Sequence, residues 1–326
     1  MVETVASVEM AVDEIFSVVK NHIRPRKNTS GKRICIVTGT HGDELEGQYV
    51  CYEVNRRIKE HPEYLTGVVD IYPALNPLGI DSITRGIPGF DLDMNRIFPG
   101  SKEGSMAEYV AACIVDDIKG ADLCIDIHAS NIFLTEIIQV RINEETQKTL
   151  VPMAEELNVD FIWVHQAATV LESTLAYSLN AKGTPTLVVE MGVGMRLTKE
   201  YCYQLVDGIF HEMKVMGIWK GPVSEVKKPL ISKQFDEVSF LNAGYAGIFV
   251  QTAKHNTYVK QGEEIGFIMN PLTGEVRERV LAERDGLLFT LREYPVVDEG
   301  SLLARILTLD EMKTDRIEAD ESEEMA

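Results

Sequence analysis

No stretch of this sequence approaches the ~20 consecutive apolar residues that a membrane-spanning helix requires. The opening residues, MVETVASVEMAVDEIF, carry early acids and lack a basic region followed by an apolar block, so no secretory signal is read. Cysteine is scarce, with five residues (Cys35, Cys51, Cys113, Cys124, Cys202) in 326. They are odd in number, widely spaced and mostly set in apolar runs. That excludes a disulfide framework and a CxxC metal clip, and reads as reduced, buried thiols in a cytoplasmic protein. Positive charge is also short. Lys and Arg total 32 against 51 Asp and Glu, a formal net charge of -19, which argues against a nucleic-acid binder because phosphate neutralisation needs basic clusters. The acid is not spread evenly: the final stretch is strongly acidic and reads as a disordered, solvated tail over 309–326 that says little about any ligand.

The rest is ordinary for a soluble globular chain, with 45% hydrophobic and 25% charged residues. Its length predicts two domains, placed at 1–222 and 223–308. Residues 1–30 read as a short helix or strand leading into a polar connector. Strands are predicted at 33–38, 68–76, 136–142, 160–165 and 184–192, and in ADLCIDIHAS. Helices are predicted over 45–60 and 106–121. Alternating strands and helices make this an α/β domain with a mixed, largely parallel sheet flanked by helices. Between Ile80 and Gly104 runs a loop rich in Gly, Pro and Asp with little regular pattern, and loops of that length are usually functional.

After Trp219 comes KGPVSEVKKPL, a linker, and then a weak internal repeat. Gly247 to Ile268 matches Gly286 to Ile306, with Gly247 paired to Gly286 and Gly262 to Gly300. Duplicated hairpins of this kind resemble the barrel-sandwich fold of biotinyl and lipoyl carriers. The turn between the halves, MNPLTGE, has no Lys at its tip. This region therefore reads as a structural all-β barrel-sandwich domain and not as a carrier.

The chemistry-bearing residues cluster at strand ends. KRICIVTGTHGDELE places His41 and Glu44 three residues apart on a loop after a buried strand, and an imidazole and a carboxylate so spaced can share one zinc ion. His128, ending the strand of LCIDIHAS, is the candidate third ligand. Two nitrogens and one carboxylate leave a position open for water, as in catalytic zinc sites. Asp126, two residues earlier, falls on the same side of the strand and can orient a ligand from the outer shell. Asp43 competes as a ligand, but Glu44 has the spacing and the longer reach. Arg85, Asn95 and Arg96 offer guanidinium forks and an amide suited to carboxylates and a polarised carbonyl. In the alternative, Arg85 is a surface residue and Asp91 and Asp93 neutralise Arg96. Glu190 ends the apolar strand LVVEMG, where a carboxylate is costly unless it is paired or serves as a general base beside a metal.

In order, HGDE, NPxG, Arg, DxDxNR, DIH and VEMG resemble the succinylglutamate desuccinylase/aspartoacylase family, of the zinc carboxypeptidase type. The resemblance covers about the first two-thirds of the chain. It implies a single Zn2+ held by His41, Glu44 and His128, with Glu190 as general base and acid. Arg85 would polarise the scissile carbonyl, and Asn95 and Arg96 would hold the substrate carboxylate. It implies further a C-terminal β domain, and hydrolysis of the amide bond of an N-acyl amino acid or related small molecule. The family also uses an Arg before the general-base strand and a Tyr from the C-terminal domain. Here residues 172–186 contain Lys182 as their only cation, and Tyr245, Tyr258 and Tyr294 are not distinguished. That argues against a dicarboxylic substrate such as N-acetylaspartate or succinylglutamate. The alternatives are a metallocarboxypeptidase acting on a peptide terminus, and a non-catalytic ligand-binding pseudoenzyme. No nucleic-acid or membrane partner is expected, and nothing in the sequence excludes a homo-oligomer.

Overall fold

The computed structural model describes residues 1–27, 29–89, 92–166, 172–232 and 237–308. The acidic tail at 309–326 and Asp91 lie outside the described residues. The chain divides into two compact units, residues 1–131 with 138–231, and residues 132–137 with 232 onward.

The first unit opens not with a single element but with a hairpin. β1 (Val2–Glu9) and β2 (Ile15–Ile23) pair antiparallel, and β2 continues antiparallel onto β4 (Val68–Tyr72). β3 (Arg33–Thr38) runs parallel to β4 on one side and to β5 (Leu123–Ala129) on the other. β5 in turn runs parallel to β8 (Thr186–Gly192). β6 (Leu134–Asn143) lies next to β8, and its second half pairs parallel with β7 (Phe161–His165), itself flanked by the short β9 (Leu230–Ser232). The result is the expected mixed, largely parallel sheet.

Helices cover both faces because the central strands are apolar on both. In β3, Ile34 and Ile36 join the core formed with α1 (Glu46–Glu60) and α6 (Lys199–Val215). Cys35 and Val37 join the opposite core, with α3 (Met106–Ile118) and α5 (Leu175–Ala181). Ser105 starts α3 with a reciprocal capping box to Glu108. All five cysteines are buried and unpaired. Among the described residues no helix is long and apolar enough to cross a membrane.

The loop over 80–104 holds more order than its composition suggests. α2 (Pro77–Ser82) begins just before it, capped by Asn76, whose side chain accepts from the Gly79 N–H at 2.9 Å. A single 3-10 turn at Met94–Arg96 follows. The remaining helix, α4 (Gln147–Ala154), packs with the α1 and α6 core.

The second unit is all-β and antiparallel. It comprises β10 (Val238–Asn242), β11 (Gly247–Gln251), β12 (Thr257–Val259), β13 (Glu264–Asn270), β14 (Glu275–Leu281), β15 (Gly286–Arg292), β16 (Val296–Val297) and β17 (Leu302–Thr308). The repeat read from the sequence is physical. β11 pairs with β13 as β15 pairs with β17, and Gly262 and Gly300 occupy matching turns at φ 84° and 85°, where a side chain would be strained. The short strands are exchanged: β12 pairs with β15 and β16 with β11. Residues 134–136 also pair with β15, and buried Glu136 accepts from Arg305 at 2.5 Å.

One buried carboxylate makes the first unit pH-sensitive. Glu212 on α6 is 2% exposed. Burial, together with repulsion from Glu156 and only partly offset by Lys32, pushes its pKa up to about 7. Between pH 4.5 and 7 the folded state therefore holds a proton that the unfolded chain releases, so stability falls as pH rises through that window. Glu212→Gln is expected to be more stable than the parent at pH 8 by on the order of 2 kcal/mol. The two should converge near pH 4, as measured by urea denaturation; equal midpoints at pH 8 would contradict this.

Candidate active site

Parallel strands deliver three of the predicted residues to one end of the sheet. His41 and Glu44 follow β3 directly, and His128 is the penultimate residue of β5. Register then sets Glu190 of β8 directly beside His128. Cys124, Asp126 and His128 alternate on one face of β5, while Ile125 and Ile127 fill the opposite core. Ligand sites in such sheets form at the carboxyl ends of the strands.

The His41 loop is held by close backbone packing against the NPLG turn. Gly42 donates to the Arg85 carbonyl at 3.3 Å, and a Cβ on Gly42 would meet the Gly79 carbonyl carbon at 2.0 Å. The Asn76 N–H donates to the Gly39 carbonyl at 2.8 Å. HG and NPxG are therefore two halves of one interlock.

Within it His41, Glu44 and His128 form a buried cluster whose ligand atoms lie within 4.8 Å of one another. Nδ1 of His41 faces Glu44 Oε1 at 2.7 Å, and Nδ1 of His128 faces Oε2 at 2.9 Å. The Ala129 N–H also donates to Oε2, at 3.2 Å. Two imidazole nitrogens and one carboxylate are the donor types of a zinc site. The outer shell fits as well. Asp126 Oδ2 stands 3.3 Å from His128 Nε2, off the direction of a good hydrogen bond. Both Asp126 oxygens and that nitrogen are buried without a hydrogen-bond partner, a strained pairing that a ligand holding Nδ1 would align.

The electrostatics agree. Burial would raise the Glu44 pKa, but the imidazoles of His128 and His41 hold it down to about 2. Burial opposes protonation of His128, yet Asp126 and Glu44 raise it well above the usual imidazole value. His41 is raised too, against burial, by hydrogen bonds to Asp93 and Glu44. The cluster thus favours positive charge where the three donor groups converge.

Arg85 belongs to this cluster. Its guanidinium donates to Glu44 Oε1 at 3.1 Å and to His41 Nε2 at 2.9 Å, and it is 41% exposed. Asn95 and Arg96 lie on the 3-10 turn just after Asp93. The Asn95 Oδ1 accepts from the Leu175 N–H at 2.9 Å, which leaves its Nδ2 protons available. Arg96 is exposed, and its Nη1 donates to the Asn95 carbonyl. Glu190 is partly buried, with Arg141 of β6 at 3.4 Å. Lys182 is exposed at the end of α5.

Two participants have roles that the sequence did not reveal. Asp93, read only as a neutraliser of Arg96, instead accepts from Arg85 and faces His41 Nε2 at 3.1 Å. Arg141 lies inside the apolar strand EIIQVRI, where a charge needs a partner as much as Glu190 does, and the two lie 3.4 Å apart.

Comparison with known proteins places the fold among characterised families. The succinylglutamate desuccinylase/aspartoacylase catalytic-domain family matches residues 30–216, more than half of the chain. The chain is 24% identical over 287 residues to N-alpha-acetyl-L-2,4-diaminobutyric acid deacetylase of Halomonas elongata, covering 86% of this chain and 83% of that one. The fold is shared with a succinylglutamate desuccinylase/aspartoacylase from Rhodobacter sphaeroides (TM-score 0.78, 23% identity, 94% and 95% of the two chains). It is shared also with the product-bound ectoine utilization protein EutE (DoeB) from Ruegeria pomeroyi (TM-score 0.79, 20% identity, 93% of each chain).

Asp93 and Asp126 each face the Nε2 of one imidazole. Asp93→Asn and Asp126→Asn are therefore each expected to weaken divalent-metal affinity by about 10- to 100-fold, read by competition with a chelator. Unchanged affinity in both variants would show that neither carboxylate orients a ligand.

Proposed function

The chain belongs to the succinylglutamate desuccinylase/aspartoacylase family, and on that footing we propose that it is a zinc-dependent deacylase hydrolysing the amide of a small N-acyl amino acid. The observation that carries this reading is the buried meeting of His41, Glu44 and His128, with Glu190 in register beside His128. These three residues would hold the ion. Zinc bound there supplies a Lewis acid and lowers the pKa of water to near 7.

The chain's own groups do the rest. Glu190 takes a proton from the attacking water and delivers it to the leaving nitrogen, as the acyl C–N bond breaks and a C–O bond forms. Arg141 at 3.4 Å holds that carboxylate in place. Arg85 donates to the oxygen on which negative charge develops, and its partial exposure lets it turn from Glu44 toward substrate. With the His41 Nδ1 engaged, the proton of that ring sits on Nε2 and is donated to Asp93. Nε2 then no longer accepts from Arg85, which frees the guanidinium. Nδ2 of Asn95 and the fork of Arg96 hold the substrate carboxylate.

The substrate class follows from the cations available. Residues 172–186 offer only exposed Lys182, which supports a substrate with a single carboxylate. The Halomonas elongata deacetylase is named for such a substrate, an acetylated diamino acid. The buried, unpaired thiols support a reducing, cytoplasmic setting.

The test is amine release by zinc-loaded protein from a panel of N-acetyl and N-succinyl amino acids and short peptides. Glu190→Gln is expected to lower kcat by about 10²- to 10⁴-fold with zinc content unchanged. Arg96→Ala is expected to act mainly on KM. Full turnover in Glu190→Gln would remove the assigned base.

A further inference from the structure

The acidity of the chain is reversed in one place. Residues 22–33 read HIRPRKNTSGKR, in which five are Lys or Arg and none is acidic. This stretch joins β2 to β3. It lies at the end of the sheet opposite the His41 loop, since β3 runs from Arg33 to Thr38 and reaches His41 three residues later. At about 3.3 Å per residue the strand alone separates the two ends by roughly 16 Å. A cavity of about 380 Å³ opens here, lined by His22, Arg24, Pro25, Arg33 and Val68.

The charges around it do not cancel. The carboxylates nearby are Glu3, Asp70, Asp117 and Asp122. Lys20 is paired with Asp117 at 2.8 Å and Asp70 at 3.5 Å, and lies 3.9 Å from Glu3. Asp122 accepts the Arg33 backbone N–H. Arg33 spends Nη1 on Asp70 and the Asp117 carbonyl, and Nη2 on the carbonyls of Ile118 and Lys119. It is thereby fixed as a rigid wall. His22 Nδ1 faces Asp70, and His22 Nε2 accepts from Arg24 Nε. That contact orients the Arg24 guanidinium, whose two terminal nitrogens take no partner among the described residues. Arg26 and Lys27 likewise form no ion pair among the described residues, whereas Lys32 answers the charge of Glu212.

We propose that this cavity is a binding site for a small phosphate-bearing metabolite, separate from the reaction centre. A planar fork with free terminal N–H groups matches two phosphate oxygens. Arg26 and Lys27, two and three residues after Arg24, add positive charge beyond what a monocarboxylate would satisfy and suit a dianion. The volume is that of a small-molecule site. A long polyanion is disfavoured by the net charge of -19 over the rest of the surface. Binding there fastens the β2–β3 connection to the sheet, so the ligand also stabilises the fold.

Calorimetric titration of the zinc-loaded protein at constant ionic strength tests this, using inorganic phosphate, glycerol 3-phosphate and AMP as probes. No substrate is present, so the outcome is independent of the deacylase reading. Saturable one-to-one binding with Kd below about 1 mM is expected for at least one phosphate monoester. Arg24→Ala should weaken it about tenfold or more, and Lys27→Ala by a few-fold, with the ligand-free melting temperature unchanged in both. Equal affinity for glycerol 3-phosphate and AMP supports recognition of the phosphate alone. Tighter AMP supports a nucleotide. Absence of saturation by about 5 mM overturns the proposal. Affinity unchanged by Arg24→Ala overturns it too, because the anion would then be held elsewhere, as would tighter capture of duplex DNA or anionic vesicles.

Discussion

A carboxylate that is 4% exposed and flanked by two imidazoles is the constraint on which the carboxyl end of this sheet depends. Glu44 cannot be buried there as a lone charge, because desolvation would neutralise it. Its two oxygens are divided between His41, three residues away, and His128, on the neighbouring strand. That division fixes the loop after β3 against the end of β5. The Gly42 and Gly79 backbones can then approach as closely as they do, and Arg85 and Asp93 are drawn onto the outer side of His41. A defect in any one contact would leave a charged group without its complement.

Much of this could be read from the chain itself. The apolar run 34–37, the H-x-x-E spacing and the strand-ending positions of His128 and Glu190 are local signals, and the alternation of side chains along a strand gives them direction. The mixed α/β sheet and the all-β second unit were legible for the same reason. What escaped were pairings made over distance. Asp93 lies in a Gly- and Pro-rich loop, where composition suggests neutralisation of a neighbour, but its partner is a ring 52 residues earlier. The opening residues form a hairpin that Lys20 ties to Asp70 and Asp117, 50 and 97 residues on. No periodicity announces such a partner. The same holds for residues 132–137, which sit in the middle of the sequence yet count with the second unit through Glu136, Thr290 and Arg305.

The sheet also divides its labour by direction. Parallel strands collect their carboxyl ends where His41, Glu44, His128 and Glu190 come together. Their amino ends collect at the opposite edge, where Arg33 begins β3 and Val68 begins β4. One edge gathers the imidazoles and carboxylates of His41, Glu44 and His128, and the other gathers the guanidinium groups of Arg24 and Arg33. A strongly acidic protein thereby presents two poles of different character.

The exchange of short strands in the second unit ties its two halves together. β12 completes the sheet of the later half and β16 that of the earlier half, so neither half is closed on its own. Each half is completed by a strand that the other supplies, so neither can be removed without baring an edge of its neighbour. The duplicated hairpins thus stand or fall together, and the MNPLTGE segment with β14 joins them in one chain.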